Sequence, residues 1–124
     1  MTSTQIKGLS AAILMVLLIA PLKANKTSVT ITAPDKVKKG SEITISLEVT
    51  HSGNNFMHYT NWVYLKVNGV EKQKWAFSSF NRPENEKFTR TVTMKADEKL
   101  DLEAEGNCNI HGSMGVTKAS VQAQ

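Results

Sequence analysis

Hydrophobic and polar residues alternate with a period of two over much of the chain after residue 25. Between residues 43 and 50, polar side chains separate four apolar ones, Ile43, Ile45, Leu47 and Val49. Similar alternation recurs over residues 88–94 and 100–104. Because successive side chains of a strand point to opposite faces of a sheet, this pattern predicts half-buried β-strands. No stretch after residue 25 shows the period of a long amphipathic helix.

Asn68-Gly69 separates two strand-like segments, residues 62–67 and 70–77. Asn-Gly favours the positive φ angles of a two-residue turn, so the two segments are predicted to form a β-hairpin. Residues 27–32 and 116–121 are predicted to be terminal strands. About seven short strands in roughly 100 residues are typical of an immunoglobulin-like antiparallel β-sandwich. We expect this all-β fold for a single domain over residues 25–124.

The first 24 residues have the pattern of an export signal. Residues 11–20 are an uncharged apolar run, preceded by Lys7 and ended by Pro21. A helix of ten residues spans only about 15 Å, half the hydrocarbon core of a bilayer, so a cleaved signal peptide is expected rather than a membrane anchor. Residues 25–124 would then work in the periplasm or another extracytoplasmic space, without stable membrane insertion. An uncleaved N-terminal anchor is the alternative.

The charge balance argues against a nucleic-acid partner. The chain has 15 Lys and Arg against 11 Asp and Glu, a formal net charge of +4. These charges are interspersed, without the basic stripe that binding to a phosphate backbone requires. The sequence predicts no oligomeric state, so a homo-oligomer stays an open alternative.

The candidate metal ligands fall at predicted strand ends and in loops. The sequence contains three His and one Cys, namely His51, His58, His111 and Cys108. Cys108 and His111 form a Cys-x-x-His turn followed by Gly112, whose backbone freedom lets sulfur and imidazole face one ion. Because a sandwich gathers its loops at its ends, the four side chains are expected to converge. A thiolate with imidazoles suits iron, copper or zinc rather than magnesium or calcium.

Two segments resemble the iron-binding domain of superoxide reductases, a family that includes desulfoferrodoxin and neelaredoxin. The first runs from His51 through His58-Tyr59 to Trp62, and the second is residues 107–112, Asn-Cys-Asn-Ile-His-Gly. The resemblance extends over residues 49–115 and implies an immunoglobulin-like sandwich with a mononuclear iron site. It further implies one-electron reduction of superoxide to hydrogen peroxide, with an unidentified electron donor as partner.

The resemblance also implies a role for each candidate ligand. His51, His58 and His111 would be equatorial nitrogen ligands, and Cys108 the axial thiolate, with Cys108 and His111 at the catalytic centre. The family has one more His upstream, in a Glu-Lys-His-Val-Pro stretch whose Lys is thought to attract superoxide. The nearest counterpart here is residues 25–27, Asn-Lys-Thr, with Thr in place of that His. We therefore expect one equatorial ligand and the catalytic lysine to be missing.

Two other interpretations stay open at this point. Blue-copper electron carriers are exported β-sandwiches that bind copper through two His, one Cys and a weak Met, and Cys108-x-x-His111-x-x-Met114 fits such a ligand loop. The other interpretation is a metal-binding module without redox turnover, which the missing His and Lys would explain.

Overall fold

The computed structural model describes residues 25–124, which form a two-sheet β-sandwich without any helix. The export signal expected over residues 1–24 lies outside the described residues. In the part of the chain that the structure describes, no helix is long and apolar enough to cross a membrane. The expected all-β sandwich is confirmed.

Eight strands make up the two sheets, one more than the expected number of about seven. They are β1 (Ser28–Thr32), β2 (Lys36–Val37), β3 (Ser41–Thr50), β4 (Thr60–Val67), β5 (Val70–Ala76), β6 (Lys87–Ala96), β7 (Leu100–Cys108) and β8 (Thr117–Ala123). The three-stranded sheet has the order β1-β3-β6, and the five-stranded sheet the order β2-β8-β7-β4-β5. Neighbouring strands are antiparallel except β2 and β8.

Alternate side chains of the central strands form the core between the sheets. The inward side chains of β3, β4 and β7 are almost fully buried, and they include Ile43, Ile45, Leu47, Val49, Val63, Leu65, Leu100, Leu102 and Ala104. Their two-residue spacing is the alternation seen in the sequence. Burying one large aliphatic side chain stabilises a fold by about 1.5–3 kcal/mol, so this layer holds the two sheets together.

The predicted hairpin at Asn68-Gly69 is confirmed. The two residues have φ angles of 50° and 81°, and they join β4 to β5 in antiparallel pairing. β5 is an edge strand and mostly exposed. Lys72 and Lys74 on this strand discourage edge-to-edge pairing with another sheet. The hairpin turn lies at the end of β4 opposite to Thr60, where the candidate ligands begin.

Candidate metal centre

The strand ends that carry the candidate ligands lie side by side. Cys108 ends β7 and stands opposite Thr60, the first residue of β4. His51 directly follows β3, and its backbone N–H donates to the carbonyl of Glu86 at 3.0 Å. The loop that carries His58 connects His51 to β4. Sheet pairing therefore brings the two halves of the site to one end of the sandwich.

All four candidate side chains meet at this end. Nε2 of His51 lies 3.1 Å from Nε2 of His58, which lies 3.0 Å from Nδ1 of His111. The sulfur of Cys108 lies 3.8 Å from Nδ1 of His111. The ligand atoms of His51, His58 and Cys108 all lie within 4.8 Å of one another. His51 and Cys108 are buried and His111 is exposed, so the cluster opens to solvent on one side.

The crowding of nitrogens around Nε2 of His58 suits a metal ion better than hydrogen bonds. A neutral imidazole nitrogen offers either one proton or one lone pair, so it makes one good hydrogen bond. Nε2 of His58 nevertheless faces ring nitrogens of both His51 and His111. A cation that accepts all three lone pairs satisfies this arrangement. The donor set of three imidazoles and a thiol suits iron, copper or zinc.

The Cys-x-x-His turn is closed by its own backbone. The N–H of Cys108 donates to the carbonyl of Gly112 at 2.9 Å, and the N–H of Gly112 donates back at 3.0 Å. Gly112 has a φ of 85°, a conformation that glycine adopts without strain. The backbone N–H of His111 donates to the sulfur of Cys108 at 3.3 Å. This donor holds the sulfur in place beside the imidazole of His111.

The loop before β4 is folded so that the ring of His58 faces the site. The side-chain oxygen of Asn55 accepts the backbone N–H groups of Met57 and His58 at 2.9 and 3.0 Å. A Cβ added to Gly53 would lie 2.5 Å from Nδ1 of His58 and 2.6 Å from its Cε1. The imidazole therefore rests against the bare backbone of Gly53, with its Nε2 turned towards the other ligands.

Asn109 joins the two ligand loops. Asn109 makes two hydrogen bonds with the backbone of Tyr59: its side-chain oxygen accepts the N–H at 3.0 Å, and its backbone N–H donates to the carbonyl at 3.1 Å. Its side-chain nitrogen donates to the carbonyl of Met57 at 3.1 Å. The residues on both sides of His58 are thus bonded to the residue that follows Cys108. The sequence analysis gave Asn109 no role of its own beyond its place in the segment Asn-Cys-Asn-Ile-His-Gly, although Asn often bonds backbone groups in turns.

The environment of His51 keeps its imidazole neutral. Burial lowers the pKa of His51 below its usual 6.5, and the neighbouring charge of His58 lowers it further. The Asn25 backbone and the Glu86 carboxylate oppose this shift. Nδ1 of His51 is buried without a hydrogen bond of normal geometry. A neutral imidazole is the form that ligates metal, so Nε2 of His51 is available at neutral pH.

Residues 25–27 run past the same end of the sandwich. Thr27 is fully buried, and its hydroxyl lies 3.1 Å from that of Thr60. Its backbone N–H donates to Gly112 at 3.3 Å, and its carbonyl accepts from Met114 at 2.9 Å. Lys26, the residue before it, is exposed. Met114, the copper ligand of the blue-copper interpretation, is 42% exposed.

Comparisons with known proteins agree with this fold. The sequence model of the desulfoferrodoxin family matches residues 21–115 of this chain. Among curated protein sequences none matches the chain. A variant of the superoxide reductase (neelaredoxin) from Ignicoccus hospitalis is 25% identical, with a TM-score of 0.68 over 85% of this chain and 86% of that chain. A putative superoxide reductase from Thermotoga maritima is 22% identical, with a TM-score of 0.61 over 78% and 86% of the two chains.

The matched region includes all four candidate ligands and seven of the eight strands. It also extends the resemblance found in the sequence, which began near residue 49, to the N-terminal strands. Because the match covers most of the sequence, it identifies the family and not only the fold. The chain belongs to the desulfoferrodoxin family.

Proposed function

We propose that this protein is an exported superoxide reductase that binds one iron ion and reduces superoxide to hydrogen peroxide. The observation that carries the proposal is the meeting of three imidazole nitrogens and one thiol at the open end of a desulfoferrodoxin-family sandwich. Structurally similar proteins from Ignicoccus hospitalis are superoxide reductases, which supports the same substrate here. Each turnover consumes one superoxide, one electron and two protons and yields one hydrogen peroxide.

In this proposal His51, His58 and His111 hold the iron through nitrogen and Cys108 holds it through sulfur. Bound iron would supply the reversible one-electron couple that the reaction needs. The chain's own groups prepare the ligands for it. The N–H of His111 donates to the sulfur and holds it in place, while burial lowers the pKa of His51 and so favours its neutral form. The exposed side at His111 leaves a path for a small anion and for protons from water.

The charges around the site suit an anionic substrate. The ligand loops, residues 51–59 and 107–116, contain no Asp or Glu, and the carboxylate whose charge acts on His51, that of Glu86, lies outside them. Lys26 is exposed at the same end and would attract the anion. The expectation from the sequence that the family's catalytic lysine is missing stays a prediction, and in this proposal Lys26 supplies the attraction for the anion.

The proposed cellular location rests on residues 1–24 and their apolar run at residues 11–20. An exported domain would receive its electrons from a donor in the same compartment. A fusion of residues 1–24 to a reporter that is active only outside the cytoplasm tests this part. An active reporter is expected, and an inactive one would contradict export by this segment.

The proposed activity is tested by loading the protein with iron and mixing the ferrous form with superoxide generated by pulse radiolysis. Rapid superoxide-dependent oxidation of the iron and formation of one hydrogen peroxide per iron are expected. Iron binding without this oxidation would favour a module without redox turnover. Natively isolated protein with stoichiometric copper and a narrow EPR hyperfine pattern would favour the blue-copper alternative.

The role of Cys108 has its own spectroscopic test. Oxidised, iron-loaded protein should show a sulfur-to-iron charge-transfer band, and Cys108→Ser should abolish it. Ala104→Ser is the matched control, since Ala104 is another buried small residue of β7 and carries no proposed ligand atom. Retention of the band in the Cys108 variant would show that this sulfur does not ligate the iron.

A further inference from the structure

Most of the exposed apolar side chains lie at the end of the sandwich that carries the metal centre. Seven large hydrophobic residues of the described chain are exposed, and of these only Val70 lies at the opposite end. The other six are in the loops that follow β3, β5 and β7, and they are Phe56, Met57, Phe80, Ile110, Met114 and Val116. Single exposed apolar side chains are common on proteins, whereas a group of them marks a surface that binds a partner.

Four of these side chains belong to one group, which we call the apolar rim and which consists of Phe56, Met57, Phe80 and Ile110. The rings of Phe56 and Phe80 are in edge contact, with their centroids 5.1 Å apart. Met57 follows Phe56, and its carbonyl accepts a hydrogen bond from the side chain of Asn109, the residue before Ile110. The apolar rim therefore extends across the two loops that carry the ligands.

The charges around the apolar rim suit a negatively charged surface. The two ligand loops contain no acid, and Lys26 is exposed at the start of the described chain. Arg82 lines the cleft beside the two phenylalanine rings. Its loop has two acids, of which Glu84 accepts hydrogen bonds from Arg90 at 2.8 and 2.9 Å. The other, Glu86, makes no ion pair within residues 25–124, so two cations stand against one unpaired acid here.

The chain reaches this end of the sandwich directly from an apolar segment. The described residues begin at Asn25, and the backbone of Thr27 is bonded to Gly112 and Met114 in the ligand loop after β7. Four residues separate Asn25 from the uncharged apolar run at residues 11–20. A chain of this length spans at most about 18 Å. The proposed export signal places residues 11–20 in a bilayer during export, and Asn25 then lies within that distance of the lipid.

The size of the apolar rim favours a lipid surface over a second copy of the chain. Its four side chains expose about 500 Å². A stable protein–protein interface buries about 800 Å² on each partner, so the rim by itself is too small for one. A bilayer surface needs no complementary shape. Its affinity for a protein grows with the apolar area that enters the headgroup layer and with the basic residues nearby.

We propose that the apolar rim rests on the surface of a lipid bilayer that carries anionic headgroups. Phe80 and Met57, which are 90% and 74% exposed, enter the headgroup layer, with Arg82 beside its phosphates. The contact is shallow and reversible, so it is a surface contact and not a membrane span. It does not depend on which metal the centre binds, and it adds a location to the proposed function without changing its chemistry.

A tryptophan in the apolar rim tests the insertion directly. The iron-loaded protein as isolated carries either Phe80→Trp or the control Val70→Trp, and it is mixed with phosphatidylcholine vesicles that contain about 30% phosphatidylglycerol. After subtraction of the native signal, brominated lipids should quench the fluorescence at position 80 and leave that at position 70 unchanged. An unquenched signal at position 80 would overturn the inference and leave the proposed function standing.

Cosedimentation with the same vesicles measures the contribution of the two rings. The double variant Phe56→Ser, Phe80→Ser should bind about tenfold more weakly than the native protein, whereas Val70→Ser should bind equally well. All variants have the same N-terminus, so any contribution of residues 1–24 is common to them. Equal binding by the double variant and the native protein would overturn the inference. A dimer in sedimentation velocity without lipid, dissociated by the double variant, would assign the rim to a second copy and also overturn it.

Discussion

Gly53→Ala should displace His58 and weaken metal binding without unfolding the protein. The added Cβ would lie 2.5 Å from Nδ1 of the imidazole, 2.6 Å from Cε1 and 3.1 Å from Cγ. Carbon contacts are favourable at about 3.5–4.0 Å, so the ring must move by about 1 Å. Gly53 does not have a positive φ angle, so its backbone accepts alanine. The effect therefore comes from the contact with His58 alone.

A movement of about 1 Å exceeds the tolerance of about 0.2 Å that metal–ligand bonds allow. Loss of a correctly placed ligand of this kind should weaken metal affinity by about 10–100-fold, as substitutions that misorient ligands typically do. Because Gly53 lies in a loop outside the core, the free energy of unfolding of the metal-free protein should change by less than about 1 kcal/mol.

The assay is a competition between the protein and a chelator of known affinity, with cobalt or ferrous iron as the metal and thermal unfolding of the metal-free protein alongside. Gly115→Ala is the control, because Gly115 lies in the loop that follows His111, has a φ of 111° and would place its Cβ within 4 Å of no atom outside its chain neighbours. This control should lose some stability through backbone strain but keep its metal affinity. Native affinity in the Gly53 variant would show that the ring of His58 does not depend on this contact.

Three further predictions concern the surroundings of the site. Asn109→Asp replaces the hydrogen bond donated to the Met57 carbonyl by a contact between two oxygens, so metal affinity measured by chelator competition should fall about tenfold. Asn107→Asp is the control, because Asn107 donates to Asn61 and not to a ligand loop, and it should leave the metal affinity unchanged. Lys26→Glu should slow the reaction with superoxide in pulse radiolysis by about tenfold at low salt and less at high salt. Hydrogen bonds from Arg90 lower the pKa of Glu84 to about 2, so this pair stabilises the protein above pH 4.5 and loses its effect as the pH falls towards 2. The stability difference between native protein and Glu84→Gln in urea titrations should be at most about 1 kcal/mol at pH 7, because Glu84 is exposed, and should vanish near pH 2.

Local patterns in the sequence were enough to predict most of the fold. The alternation from Ile43 to Val49 predicts a strand with one buried face. Asn68-Gly69 predicts the turn between β4 and β5, because these two residues tolerate positive φ angles. β2 could not be found in this way. It has two residues, Lys36 and Val37, and two positions cannot show a period. Its parallel pairing with β8 depends on how the whole sandwich brings the chain ends together.

The meeting of the four candidate ligands follows from strand order, whereas the contacts that orient them do not. Loops at one end of a sandwich are neighbours whatever their sequence, so His51 and Cys108 could be expected to approach each other. The bonds of Asn109 to Met57 and Tyr59 join residues about 50 positions apart, and the contact between Gly53 and His58 depends on the path of one loop. Such contacts exist only after the chain has folded, so periodicity and composition do not reveal them.

If the proposed metal centre is correct, the pairing of Thr60 with Cys108 decides at which stage of folding the metal can bind. Before β4 and β7 are paired, an extended polypeptide keeps only Cys108 and His111 close together, and a two-donor chelate binds transition metals weakly. Tight metallation must therefore follow folding. A polypeptide secreted in the unfolded state would cross the membrane without a metal ion. The metal ions present in the compartment where it folds, and not those of the cytoplasm, would then determine which metal it binds.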